Sequence, residues 1–288
     1  MRKAFVKFLL LFLFSSIIST GIANARTIAA LVIKESGEIL YQKNADKKMY
    51  PASLTKLMTL YLAFEAISQN KISFDTIMKV SRTAAKMPSS KLGVKAGGTI
   101  TMKEAIMSLI IKSANDSSVV IAENLAGSQA KFVKIMNIRS KQLGMNNTTF
   151  TNASGWHHPN QKTTSYDMAK LAIAVKRDFP NFYPLFLHES FFYKNTIIKG
   201  HNYVMKKLKG ARGLKTGYTS KAGWNIITTA TRGDNNLIGV IMGGSSYRSR
   251  DLKMLNLMNS QFASLNMDKQ KKRQKSSLYR IKKHQVAK

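Results

Sequence analysis

The chain of 288 residues contains no cysteine, so no disulfide braces it and no metal site can be built on thiolates. Acidic residues are scarce: 14 stand against 46 lysines and arginines, a net charge of +32. An excess of that size points toward polyanions such as nucleic acid. Here, however, the basic residues are spread along the chain instead of gathering on one recognition helix, and an export signal at the amino terminus argues against nucleic acid. No internal repeat is present. Past the first residues no apolar run approaches the ~20 residues of a bilayer-spanning helix. Ligand spacing for a metal is also missing. His157 and His158 adjoin without a convincing histidine or acidic partner, and His188 and His201 are isolated, so neither a metal site nor a Ser-His-Asp arrangement is expected.

What is present begins with an address. Arg2, Lys3 and Lys7 precede an apolar core at 8–14, and small residues run on to Ala23-Asn24-Ala25. That pattern predicts a signal peptide over 1–25 and a mature start at Arg26. An exported chain without cysteine fits a bacterial periplasm or envelope, where disulfides are optional. The remainder can bury one large domain or two small ones. Two short apolar runs, 28–33 and 39–42, flank Glu35-Ser36-Gly37-Glu38 and read as a β-hairpin. A helical run over 57–67 follows, and 70–175 reads as mostly helical with Gly- and Ser-rich interruptions such as Pro88-Ser89-Ser90 and Gly97-Gly98, with clear spacing at 102–111, 119–125 and 131–143. Strand patterns occupy 190–198, 211–219, 224–231 and 236–242, with a turn at Gly233-Asp234-Asn235-Asn236 and a last helix at 249–263. This order predicts an α+β unit over 26–265: an antiparallel sheet with edges from both chain ends and helices inserted between. The junction of sheet and helices is a natural groove for a ligand. A basic tail, 266–288, is expected to be disordered and solvated. Its alternative use is resting on anionic lipid or wall polymer, at about 1 kcal/mol per basic residue near a membrane.

The chemistry sits in three short segments. In Pro51-Ala52-Ser53-Leu54-Thr55-Lys56 a serine and a lysine lie three residues apart, on one side of a helix. A lysine at the start of a buried helix is costly to desolvate and is easier to understand as a neutral amine. Beside a hydroxyl, such an amine can take its proton, and the helix N-terminus favours negative charge on the serine oxygen. Alone, the pattern reads more readily as an N-cap serine with a snorkelling lysine. Two further motifs change the weight: Ser113-Ala114-Asn115 between two helices, and Lys215-Thr216-Gly217 on a strand. S-x-x-K, S-x-N and K-T-G in that order form the active-serine penicillin-recognising set. Together with Leu109-Ile110-Ile111-Lys112-Ser113-Ala114-Asn115-Asp116, Asn152-Ala153-Ser154-Gly155-Trp156 and Ser165-Tyr166-Asp167-Met168-Ala169, they make the chain resemble the low-molecular-weight penicillin-binding proteins that are D-alanyl-D-alanine carboxypeptidases, over roughly 26–263. The resemblance implies a β-lactamase/transpeptidase-like fold, an antiparallel sheet flanked by helices with an inserted all-helical subdomain.

Ser53 is then the expected nucleophile, Lys56 its base, Ser113 the group passing a proton to the leaving amine, and Asn115 an amide holding both Lys56 and the substrate backbone. Lys215 and Thr216 suit a terminal carboxylate, and Gly217 leaves room for an extended peptide along the strand. The resemblance adds the backbone N–H groups of Ser53 and Tyr218 as an oxyanion hole. It also adds Arg250 near the carboxylate end, with Arg248 close enough to be the match instead. It implies removal of the terminal D-alanine from peptidoglycan stem pentapeptides, acylation by penicillins, and no cofactor. Two alternatives are a serine β-lactamase and a catalytically silent wall-binding protein. Against the first, the stretch 152–159 lacks the carboxylate that activates water in class A β-lactamases, and Ala114 stands where those enzymes typically carry aspartate. Against the second, Ser53, Lys56 and Lys215 are all intact. Many relatives continue into a β-rich domain and a terminal amphipathic helix; here that β domain is expected to be missing.

Overall fold

The computed structural model describes residues 28–286, with side chains through 271. The signal peptide expected over 1–25 lies outside the described residues. Strand β1 (Ala29–Lys34) turns through Gly37, whose φ of +96° only glycine adopts freely, into β2 (Ile39–Lys43). A 3-10 turn, Ala52–Thr55, then leads into α1 (Lys56–Ser68). Its residues 56–64 are buried on every side, which makes α1 the central helix. A short ribbon of β3 (Ile77–Lys79) and β4 (Thr99–Thr101) surrounds α2 (Arg82–Ala85). Helix α3 (Met102–Ile111) opens with a capping box between Thr101 and Glu104, α4 (Asn115–Ala126) stops at left-handed Gly127, and Ser128 caps α5 (Gln129–Gln142). Thr164 caps α6 (Ser165–Asp178). There follow β5 (Ser190–Tyr193), β6 (Thr196–Lys199), α7 (Tyr203–Lys207), β7 (Ala211–Thr219), β8 (Gly223–Arg232), β9 (Asn235–Gly244) and α8 (Tyr247–Val286).

The main sheet is antiparallel in the order β2-β1-β9-β8-β7, so its strands come from both ends of the chain as the sequence predicts. Period-2 alternation divides the core into two layers. Leu31, Ile33, Ile227, Ile238 and Val240 face the layer shared with α1, α3, α4 and α6. Val32, Ile226, Leu237 and Ile241 face Met254, Met258 and Phe262 of α8. Gly239 permits that second contact, because a Cβ there would lie 2.6 Å from the Met254 sulfur.

Three expectations are corrected. The region 70–175 is less helical than its apolar spacing implies: it holds the β3–β4 ribbon and a long loop, 143–164, pinned by side chains bonding to backbone. Gln161 Oε1 alone accepts from the amides of Thr151 and Asn152. The run 190–198 is a separate two-stranded hairpin, turning at Lys194 and Asn195, both with positive φ. The last helix does not stop near 263 before a disordered tail; the backbone stays helical to Val286, since 247–286 contains neither proline nor glycine and is rich in helix formers.

Candidate active site

Ser53 belongs to the 3-10 turn, while Lys56 is the first residue of α1. Three elements clamp that turn. From β8, buried Asn225 donates through Nδ2 to the carbonyls of Tyr50 and Pro51, at 2.9 and 3.0 Å. From β7, Gly217 presses so close that a Cβ would lie 3.0 Å from the Ser53 nitrogen. From the long loop, Gly155 at φ +82° would place a Cβ 1.9 Å from the Ala52 oxygen. Thr59 Oγ1 of α1 donates to the Ala153 carbonyl at 2.7 Å and fixes that loop in turn. Ala52 and Ser113 both have positive φ, +49° and +61°, a strained conformation for residues with a side chain.

Lys56 is fully buried, and its Nζ lies 3.0 Å from Ser53 Oγ, 2.7 Å from Asn115 Oδ1 and 2.5 Å from the Ser154 carbonyl. The last two atoms can only accept. A neutral amine has two N–H bonds to give them, which leaves its lone pair for the serine hydroxyl. Burial and then the nearby charge of Lys215 pull the Lys56 ammonium well below its ordinary range, with Asp116 opposing. Asp116 also accepts the amides of Leu92, Gly93 and Val94, at 2.9, 2.7 and 3.2 Å, and so moors the segment leading from Pro88. The Pro88 carbonyl accepts from Asn115 Nδ2 at 2.9 Å, fixing the orientation of that amide.

On the sheet side, buried Lys215 donates to Ser113 Oγ at 2.8 Å and to the Thr216 carbonyl at 2.9 Å. Burial, then Arg250, push it down to about 7. His201 Nε2 lies 3.1 Å from Thr216 Oγ1, and burial with the charges of Lys215, Arg250 and Lys112 lowers its value to about 4. Arg250, 4% exposed, donates Nε and a terminal nitrogen to Asp251 Oδ1, at 2.8 and 2.6 Å, and lies in the cleft wall among these groups. Arg248 sits further out, on the exposed Tyr247.

Ser53, Ser113, Asn115, Thr216, Gly217 and Arg250 therefore line one cleft of about 950 Å³, with Lys56 and Lys215 in contact from behind. Tyr218 borders the same cleft. His157 packs edge-on against Tyr50, and among the described residues no group of three His, Asp or Glu could hold a metal ion. Sequence reasoning overlooked Asn225 and gave no site role to Ser154 and Asp116, quoted only within family stretches, or to His201, set aside as isolated. A polar Asn225 inside an apolar strand was the available signal for one of them; a carbonyl such as that of Ser154 leaves none.

A serine–lysine pair and a Lys-Thr-Gly edge strand, meeting between an antiparallel sheet and a helical block, define the α+β transpeptidase-like fold of active-serine penicillin-binding proteins. Penicillin binding protein 5 of Haemophilus influenzae has this fold, with a TM-score of 0.78 and 32% identity over 82% of this chain and 70% of that one. So does penicillin-binding protein D2 of Listeria monocytogenes, solved in a cefotaxime-bound form, at 0.75 and 31% over 81% of this chain and 96% of that one. The peptidase S11 family model, described as D-alanyl-D-alanine carboxypeptidase, matches residues 20–246, and the chain belongs to that family. The D-alanyl-D-alanine carboxypeptidase DacF of Bacillus subtilis is 32% identical over 250 residues, 85% of this chain. The chain spans between 56% and 64% of the length of three such curated relatives.

Proposed function

We propose that the protein is a serine-type D-Ala-D-Ala carboxypeptidase that trims the terminal D-alanine from peptidoglycan stem pentapeptides and is acylated by penicillins at the same serine. One observation carries this reading: the buried Lys56 amine lies 3.0 Å from Ser53 Oγ with its N–H bonds engaged elsewhere. Ser53 Oγ attacks the carbonyl carbon of the last peptide bond and its proton passes to Lys56 Nζ. Negative charge on the carbonyl oxygen meets the backbone N–H groups of Ser53 and Tyr218, a role supported by the close approach of Gly217 to the Ser53 nitrogen. Collapse breaks the C–N bond, the leaving amine takes a proton through Ser113, and free D-alanine departs. Water, deprotonated by Lys56, then cleaves the ester and restores Ser53. Asn115 orients Lys56 and the substrate backbone, while Lys215, Thr216 and Arg250 hold the terminal carboxylate.

Replacing Ser53 by Ala is expected to abolish both D-alanine release from a peptide ending in D-Ala-D-Ala and covalent labelling by a fluorescent penicillin. Labelling that survives means another nucleophile. The β-lactamase reading is weaker, because the single carboxylate among the described residues lining the cleft, Asp251, is bound by Arg250. Turnover of penicillin without a long-lived adduct would reverse that choice. The place of action is the cell envelope, reached through the signal expected over 1–25. Among the described residues no helix is long and apolar enough to cross a membrane.

A further inference from the structure

Strand β7 gives the bound peptide a direction. Thr216 stands at the carboxylate end and Gly217 abuts the Ser53 backbone, so a peptide lying along this edge runs on toward Tyr218 and Thr219. With a rise of ~3.3 Å per residue, the third residue from the substrate's end reaches the level of those two positions. The cleft wall there is aromatic. Tyr218 stacks on Trp224 with ring centroids 4.1 Å apart, and Tyr247 meets Trp224 edge-on at 5.7 Å. Tyr218 and Tyr247 are each about half exposed, 49% and 47%, and both line the cleft. Arg248 lies on this rim, its Nε donating to the Tyr247 hydroxyl at 3.0 Å and its guanidinium 5.6 Å from the ring centroid.

We propose that this rim is a subsite for the side chain of the third residue from the substrate's carboxyl end, and that Arg248 selects an aliphatic side chain ending in a carboxylate over one ending in a free ammonium. The inference rests on the reading of the site as one that acylates on D-Ala-D-Ala peptides. Methylenes packed on the exposed Tyr218 ring remove apolar surface from water, and a guanidinium can grip a carboxylate with two parallel bonds. An ammonium finds no free acid, since Asp251 already accepts two bonds from Arg250. The Tyr247 and Trp224 rings, which could otherwise attract it, carry cations already: Arg248 on Tyr247, and Arg250 5.9 Å from the Trp224 centroid.

Three synthetic peptides ending in D-Ala-D-Ala test this, with 2-aminopimelic acid, whose side chain ends in a carboxylate alone, lysine or Nε-acetyl-lysine at the third position from the end. The readouts are kcat/KM for D-alanine release and the power of each peptide to slow labelling by a fluorescent penicillin. The aminopimelate peptide is expected to lead lysine by about tenfold, or 1.4 kcal/mol, with acetyl-lysine between. In the variant Arg248→Glu the order of aminopimelate and lysine reverses; in Arg248→Lys most of the preference survives. Wild-type values within twofold of one another, or an order that Arg248→Glu leaves unchanged, overturn the proposal. If penicillin labels Ser53 but no peptide releases D-alanine, the hydrolytic reading fails by itself. Competition against labelling still ranks the three peptides. Arg248 is exposed, so thermal unfolding of both variants is expected to match the parent.

Discussion

At the scale of single residues, the two buried lysines set the pH behaviour in opposite ways. Lys56 works only as a free base, so kcat/KM for D-alanine release should fall as acid protonates it; Lys215 grips a carboxylate only as an ammonium, so the same quantity should fall again above about 7. The expected profile is a bell, and Lys215→Arg, which keeps its charge, should move the alkaline limb away. A flat profile to pH 9 would sink this assignment of roles. Stability has a definite sign as well. Both folded values lie below that of an unfolded lysine, so the unfolded chain binds protons that the folded chain sheds, and stability rises as pH climbs from about 7 toward ~10.4. Urea midpoints at pH 7 and 9 measure it. Asn225 is the residue-scale test of positioning. Asn225→Ala leaves the Tyr50 and Pro51 carbonyls and the Gly243 amide without their partner and should lower stability by about 1–3 kcal/mol. It should also lower the acylation rate at saturating penicillin by roughly tenfold, as a displaced nucleophile does. A variant that unfolds more easily yet acylates at the parent rate marks Asn225 as structural only. The convergence of Ser53, Lys56, Ser113 and Lys215 was legible from sequence through three short motifs in order and the resemblance they carry. The partner of Lys56 at Ser154 was not, because a backbone carbonyl belongs to every residue type.

At the scale of elements, legibility followed the source of the order. Helix α3 and strand β7 were predicted to the residue, the first by apolar periodicity, the second by its place in the strand pattern. The loop 143–164 was not set apart within the mostly helical stretch 70–175 because its order comes from Gln161, Asn152 and Thr148 bonding across the loop, which leaves no period in the sequence. The β5–β6 hairpin was read as one run because its turn, Lys194-Asn195, takes two left-handed residues without a glycine. Two glycines separate what such elements tolerate. In Gly155→Ala the new methyl meets the Ala52 carbonyl at 1.9 Å, backbone against backbone at a positive φ, so the nucleophile's turn must move. Acylation by penicillin should fall about 100-fold or more. In Gly239→Ala the methyl meets the ends of two flexible methionines, Met254 and Met258, which can swing aside. That variant should lose about 1–3 kcal/mol of stability from overpacking and keep its acylation rate. Measuring both on one preparation separates site geometry from core packing, and equal acylation rates would refute the clamp.

At the scale of the whole molecule, the topology and the charge impose different things. A sheet ordered β2-β1-β9-β8-β7 closes only when both ends of the chain have met, so the cleft, which needs β7 beside the Ser53 turn, depends on contacts distant in sequence. The charge of +32 acts outward. Helix α8 covers the sheet with Met254, Met258 and Phe262, then continues through Lys269, Lys271, Lys272, Arg273 and Lys275. Apolar residues are thin there, so attachment to a membrane through this segment would be electrostatic and not by insertion. The protein should bind vesicles containing anionic lipid at low salt and leave them at ~0.5 M salt, where the Debye length shrinks to a few ångströms. Ending the chain after residue 265 keeps the three core residues of α8 and removes the basic run, so it should abolish vesicle binding while penicillin acylation continues at the parent rate. Absence of binding at low salt would leave the basic run as a solvated extension. Binding retained by the shortened chain would move the attraction onto the basic surface of the folded body.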